Sequence, residues 1–70
     1  MPSYSPELIQ IMRAALDEVI SRIPADQATQ ALKAQMAEFI LKAASEGQTT
    51  YDGLLAVALG QLQIILSMLT

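Results

Sequence analysis

Residues 53–70 read GLLAVALGQLQIILSMLT and carry no charged side chain. The four basic and seven acidic residues of the chain all lie at or before Asp52. A helix at the edge of a globular core needs an apolar arc of roughly 100° or somewhat more, and this segment presents about twice that arc. We therefore expect it to be covered on more than one side, by its own chain, a second copy, another protein or a lipid bilayer.

Small and polar residues interrupt this apolar surface in two places. The helical period of 3.6 residues gathers a narrow strip on one side: Gly53, Ala56, Gly60, Gln63, Ser67 and Thr70. The strip fits either a close contact between helices or a face left to solvent. Gln61 lies within the apolar arc, and we favour a position at its rim because buried amides are uncommon. The alternative is an amide buried in an interface, where it fixes the register of two helices.

The segment at the start of the chain predicts a first amphipathic helix. Apolar residues recur at i, i+3, i+4 and i+7, which predicts a helix over residues 5–23. Ser5 is suited to cap its first turn, and Pro6 suits the first helical position. Pro24 ends the helix because the residue before a proline is disfavoured in the α region.

A second helix is predicted over residues 26–46. It begins either with Asp26 as its N-cap or with Pro24 as its first helical residue, and Gly47 supplies the left-handed position at its C-terminus. Its apolar stripe consists of Leu32, Met36, Phe39, Ile40 and Ala43.

A third helix is predicted over residues 50–69, with Thr49 or Thr50 as its N-cap. Thr49 followed by Asp52 is close to a capping box, with Asp in place of the usual Glu. Three amphipathic helices joined by short turns predict an all-α fold, a three-helix bundle formed by residues 5–70 after a disordered lead-in at residues 1–4. The excess of apolar surface on the third helix predicts that this protomer associates into a larger helical bundle.

Composition limits the chemistry that this chain can perform. A chain of 70 residues forms one domain and buries only about 60% of its unfolded surface, so small domains usually need additional stabilisation. The chain contains no Cys and no His, which removes disulfides, thiol nucleophiles, imidazole bases and the usual zinc ligands. Asp17 and Glu18 are adjacent, so their side chains point about 100° apart on a helix. We therefore expect no catalytic site, no metal site and no cofactor.

Charge and the first residues of the chain indicate the surroundings of the protein. The net charge is −3, and four dispersed basic residues do not form the cluster that nucleic-acid binding requires. The N-terminus lacks the basic and apolar regions of a signal peptide. We therefore expect no nucleic acid partner and a cytoplasmic location.

The segment 36–47, MAEFILKAASEG, together with the capped start of a third helix, resembles small, uncharacterised α-helical proteins of bacteria. The resemblance extends over residues 8–59. It implies a cytosolic bacterial helical protein and brings no activity with it.

The apolar C-terminal segment predicts the kind of partner. Two-fold homodimers are the commonest oligomers, so we expect a protein–protein interaction module that self-associates through its third helix. The alternatives are an obligate subunit of a hetero-complex and a membrane-associated protein with residues 53–70 inserted. Against insertion stand two glutamines near the middle of the segment and no aromatic or basic anchors at its far end. The predicted interface residues, shared between the core and the partner, are Leu55, Leu59, Leu62, Ile65, Leu66 and Leu69.

Overall fold

A computed structural model describes residues 4–69 of the chain. It contains the helices α1 (Pro6–Ser21), α2 (Gln30–Ser45) and α3 (Tyr51–Leu69), with a short 3-10 helix, Ala25–Gln27, between α1 and α2. Each α-helix packs against the other two, and no strand occurs among the described residues, which confirms the all-α three-helix bundle. Most of the predicted lead-in lies outside the described residues; Tyr4 is partly buried and packs against the core.

The start of α1 is as the sequence predicts. The Ser5 hydroxyl oxygen accepts a hydrogen bond from the Leu8 amide at 3.1 Å, and Pro6 occupies the first helical position. The helix ends at Ser21, two residues before the predicted boundary. Arg22 Nε and Glu18 Oε2 form an ion pair at 2.9 Å, but both side chains are exposed, so the pair contributes at most about 1 kcal/mol.

The predicted start of α2 is wrong by four residues. Thr29 is the N-cap, and its hydroxyl oxygen accepts a hydrogen bond from the Leu32 amide at 3.1 Å. Asp26 cannot cap α2 because it lies inside the 3-10 helix, where the Gln27 amide donates to the Pro24 carbonyl at 2.9 Å. This extra turn takes up the reversal of chain direction between α1 and α2.

The connection from α2 to α3 contains the predicted left-handed glycine but not the predicted capping box. Gly47 has φ +107°, and its amide donates to the Ala44 carbonyl at 3.1 Å, so the predicted left-handed C-terminal position is confirmed. At the start of α3 the Thr50 hydroxyl oxygen accepts from the Gly53 amide at 3.0 Å. Thr50 rather than Thr49 is therefore the cap. Glycine then stands three residues after it, and the predicted capping box is absent.

All three helices contribute to one apolar core. The first helix and the residue before Pro24 bury four side chains, α2 buries five and α3 buries three. These residues are Met12, Ala15, Val19, Ile23, Leu32, Met36, Ile40, Ala43, Ala44, Leu54, Ala58 and Leu62. The smaller share from α3, the most apolar helix, determines where apolar surface remains exposed.

Candidate interaction surface

The buried face of α3 loses its cover toward the C-terminus. Leu54, Ala58 and Leu62 follow one another at intervals of four residues and are all buried. Ile65 and Leu69 continue the same face, yet Ile65 is only partly buried and Leu69 is 60% exposed. With 19 residues, α3 is longer than α1 and α2, which have 16 each. Ile65 and Leu69 line an open cleft against the start of α2, so the last turns of α3 are only partly covered by their own chain.

Three large apolar side chains are exposed together at this end, and we call them the α3 tip: Ile64, Met68 and Leu69. Their exposed fractions are 55%, 74% and 60%. No other element carries so much exposed apolar surface among the described residues. Contiguous apolar surface at one end of a small domain is typical of a site of association.

A cleft of about 400 Å³ lies beside the α3 tip, between α3 and the start of α2. Ile65 and Leu69 form its α3 side, and Ala31 and Leu32 belong to its α2 side. Gln27 also lines the cleft, and its side-chain oxygen is buried with no hydrogen-bond partner among the described residues. Buried acceptors in folded proteins are nearly always paired. At this end of the bundle, apolar side chains are exposed and one buried polar atom has no partner among the described residues.

The six predicted interface residues fall into three groups. Leu62 is buried and belongs to the core of the protomer. Leu69 belongs to the α3 tip, and its exposed surface is available to a partner. Four leucine and isoleucine residues are partly buried against the core and keep part of their surface available: Leu55, Leu59, Ile65 and Leu66.

Sequence reasoning missed the two other residues of the α3 tip. Ile64 and Met68 are four residues apart, and they continue a seam that begins with Val57 and Gln61 at alternating intervals of four and three. Val57 and Gln61 are partly buried in a cleft against α2, whereas Ile64 and Met68 lie beyond it. The available signal was the lack of any charged residue over 53–70, which leaves apolar side chains on most sides of the third helix.

The strip of small and polar residues faces away from the other helices. Ala56, Gly60, Gln63 and Ser67 are exposed, and a methyl group added at Gly60 would meet no atom within 4 Å. Within the protomer the strip is therefore a face open to solvent from Ala56 to Ser67. Gly53 is partly buried beside the side chains of Gln48 and Thr50, and Thr70 lies outside the described residues. Gln61 is partly buried and lines the cleft between α2 and α3.

A second apolar surface lies between α1 and α2, and we call it the α1–α2 groove. It has a volume of about 260 Å³. Ile9 and Leu41 stand on its two sides and are 45% and 47% exposed. The residues that line it are Tyr4, Ile9, Met12, Arg13, Leu16, Ala37, Ile40 and Leu41. No pattern in the sequence indicates this groove, because its shape depends on which small residue faces which large one.

One helix in the described part of the chain, α3, is long and apolar enough to cross a membrane. It has 19 residues with a mean hydropathy of 1.6, and 17% of the apolar window is buried. Core helices of soluble proteins meet the same criterion of length and hydropathy, so this property alone does not assign α3 to a bilayer. No group of three acidic, His or Cys side chains that could hold a metal occurs among residues 4–69.

Comparison with known proteins identifies no relative of this chain. No family model matches the chain, and no curated protein and no solved structure shows significant similarity to it.

Proposed function

We propose that this chain is a non-enzymatic helical interaction module that self-associates through the C-terminal part of α3. The observation that carries the proposal is the α3 tip, where Ile64, Met68 and Leu69 are each more than half exposed. The open cleft and the unpaired oxygen of Gln27 beside it support the same conclusion. A second copy, docked across this end, would cover apolar surface and cleft together.

The apolar surface that the α3 tip can bury sets the strength of such a dimer. The exposed fractions of the α3 tip add up to about two fully exposed side chains per protomer, and burying each contributes about 1.5–3 kcal/mol. A symmetric pair thus gains about 6–12 kcal/mol, while association itself costs about 4–15 kcal/mol. The tip alone supports a weak dimer. A tighter one requires the partly buried side chains of Leu55, Leu59 and Leu66 as well.

The test is sedimentation velocity without detergent, from about 1 µM to about 1 mM protein, which covers association free energies of roughly 8 to 4 kcal/mol. We expect a reversible monomer–dimer equilibrium for the unmodified chain. Met68→Glu and Ile64→Glu place a charge in the apolar contact without touching the core, so we expect each to weaken association at least tenfold. Circular dichroism should show unchanged helix content.

Two matched controls carry the same charge on the neighbouring strip. Gln63→Glu and Ser67→Glu alter exposed residues one position from the α3 tip, and both variants should associate as the unmodified chain does. Leu62→Glu does not serve this purpose because Leu62 is in the core, and the charge would unfold the protomer. A monomer at every concentration, or equal disruption by Ser67→Glu, would contradict the proposal.

A membrane role is the second candidate, and the length and hydropathy of α3 favour it. Insertion would require α3 to leave α1 and α2, which would expose Val19, Met36 and other side chains now fully buried. The discriminating measurement is flotation with zwitterionic lipid vesicles. Recovery of the protein with the vesicles, lost on Met68→Glu, would favour the membrane; recovery in the aqueous fraction favours association between chains.

An obligate hetero-complex uses the same exposed surface with a foreign partner. In that case the purified chain would sediment as a monomer or aggregate, and Met68→Glu would increase its solubility without changing its mass.

A further inference from the structure

The α1–α2 groove differs from the α3 tip because it carries a charge. Its lining is almost wholly apolar, and Arg13 contributes to it with the carbon chain of its side chain. Arg13 is exposed and lies on the α1 side, one turn after Ile9 and close to one turn before Leu16. Ala37 on α2 leaves the space that a longer side chain would fill. The groove is thus apolar throughout, with one cation at its rim.

Arg13 has no partner in the described part of the chain. Asp17 lies four residues further along the same helix, but the two side chains form no ion pair, and no other acidic residue lines the groove. By contrast, Arg22 is paired with Glu18 on the same helix. Guanidinium groups bind carboxylates through two parallel hydrogen bonds, so Arg13 is a free site for an anionic head group beside apolar surface.

The volume of the groove limits what can occupy it. One turn of an α-helix, a cylinder about 10 Å wide and 5.4 Å tall, fills about 400 Å³, whereas the groove offers about 260 Å³. Sites for drug-sized molecules start at about 300 Å³. A slender molecule of few atoms therefore fits within the groove, whereas a helix of a partner protein could only lie across it.

We propose that the α1–α2 groove binds a medium-chain aliphatic carboxylate, with its alkyl chain on Met12, Leu16 and Ile40 and its carboxylate on the Arg13 guanidinium. Charge complementarity selects the head group, and the apolar lining selects the tail. No residue of α3 lines the groove, so this site is independent of self-association through α3.

The experiment is a titration of isotope-labelled protein with octanoate, followed by amide chemical shifts in NMR spectra. We expect saturable shifts confined to residues around the groove, and none at the α3 tip. Octanol and octylammonium have the same chain with a neutral and a cationic head, and they should bind in the order octanoate, octanol, octylammonium. Hexanoate should bind about fifteenfold more weakly than octanoate, at about fourfold for each methylene removed.

Variants separate the head-group contact from the apolar contact. Arg13→Gln alters an exposed residue, so the fold is preserved. The variant should bind octanoate about two- to fivefold more weakly, with the affinity expected for octanol, because a solvent-accessible ion pair contributes little. Ala37→Leu should fill the groove and abolish binding of all three ligands. Lys33→Gln removes a cation of α2 that does not line the groove and should change nothing.

Several outcomes would overturn the assignment. Shifts spread over the whole protein would mean detergent-like action, and shifts at Ile64 and Met68 would place the ligand on the α3 tip. An unchanged preference for octanoate in Arg13→Gln would remove the role of the guanidinium. Shifts at groove amides that depend on protein concentration alone would mean that a second copy occupies the groove. Met68→Glu should leave octanoate binding intact, so failure of one proposal does not imply failure of the other.

Discussion

Residues 54–62 and 64–69 of α3 are both rich in aliphatic side chains but differ in how far they are buried. Leu54 and Leu62 are buried in the core, whereas Met68 and Leu69 are more than half exposed. Both parts consist largely of aliphatic residues, and what differs is how completely the rest of the chain covers them. One helix thus serves the fold with its first part and is free to serve a partner with its last part.

The largest expected effect comes from shortening a side chain in the buried part. Leu54→Ala removes a fully buried side chain, and such changes cost about 2–5 kcal/mol, a large fraction of the stability of a domain this small. Met68→Ala is the matched control in the exposed part and should change the free energy of unfolding by less than about 0.5 kcal/mol. Urea denaturation measures both. A loss at Met68 as large as that at Leu54 would mean that the two parts of α3 do not differ.

A smaller effect is expected where α2 begins, because its first turn covers the end of the core below the α3 tip. Thr29→Ala removes the capping hydrogen bond to the Leu32 amide and should cost about 1 kcal/mol. Thr49→Ala is the control, since Thr49 makes no capping bond and Thr50 caps α3. Hydrogen exchange should show faster opening around Ala31 in the Thr29 variant only. Equal losses in both variants would contradict the observed caps.

The smallest effect, and one of opposite sign, is expected on the solvent-facing strip. Gly60→Ala adds a methyl group where no atom lies within 4 Å, in the middle of a helix. It should raise the stability by about 0.4–1 kcal/mol, because alanine has less conformational freedom than glycine in the unfolded chain. Thermal unfolding measures the gain. If Gly60→Ala instead weakens association in sedimentation, the strip is part of the contact between protomers.

The sequence predicted the helices well because each has a strong local signal. The spacing of apolar residues gave three helices, Ser5 gave the first cap and Gly47 gave the end of α2. The start of α2 was missed because Asp26 and Thr29 are both good caps. Only the packing of the chain reversal against the core decides between them.

The candidate sites were predicted less completely. An excess of apolar surface on the third helix is visible in the sequence, but the exposed residues depend on where α1 and α2 end relative to α3. That axial relation is tertiary, so Ile64 and Met68 were not among the predicted interface residues. The α1–α2 groove depends on the small side chain of Ala37 opposite larger ones on α1. The periodicity of apolar residues does not indicate which residues of two helices face each other.

The tight turn at Gly47 also has a kinetic consequence. It joins α2 and α3 through only five residues, 46–50, and the connection from α1 to α2 has eight residues, 22–29. Helices that are neighbours in sequence are therefore neighbours in space, and bundles of such low contact order fold in about microseconds to milliseconds. Slow folding leaves apolar segments open to aggregation. Rapid closure of this turn shortens the time during which α3, with no charge after Asp52, is exposed to other unfolded chains.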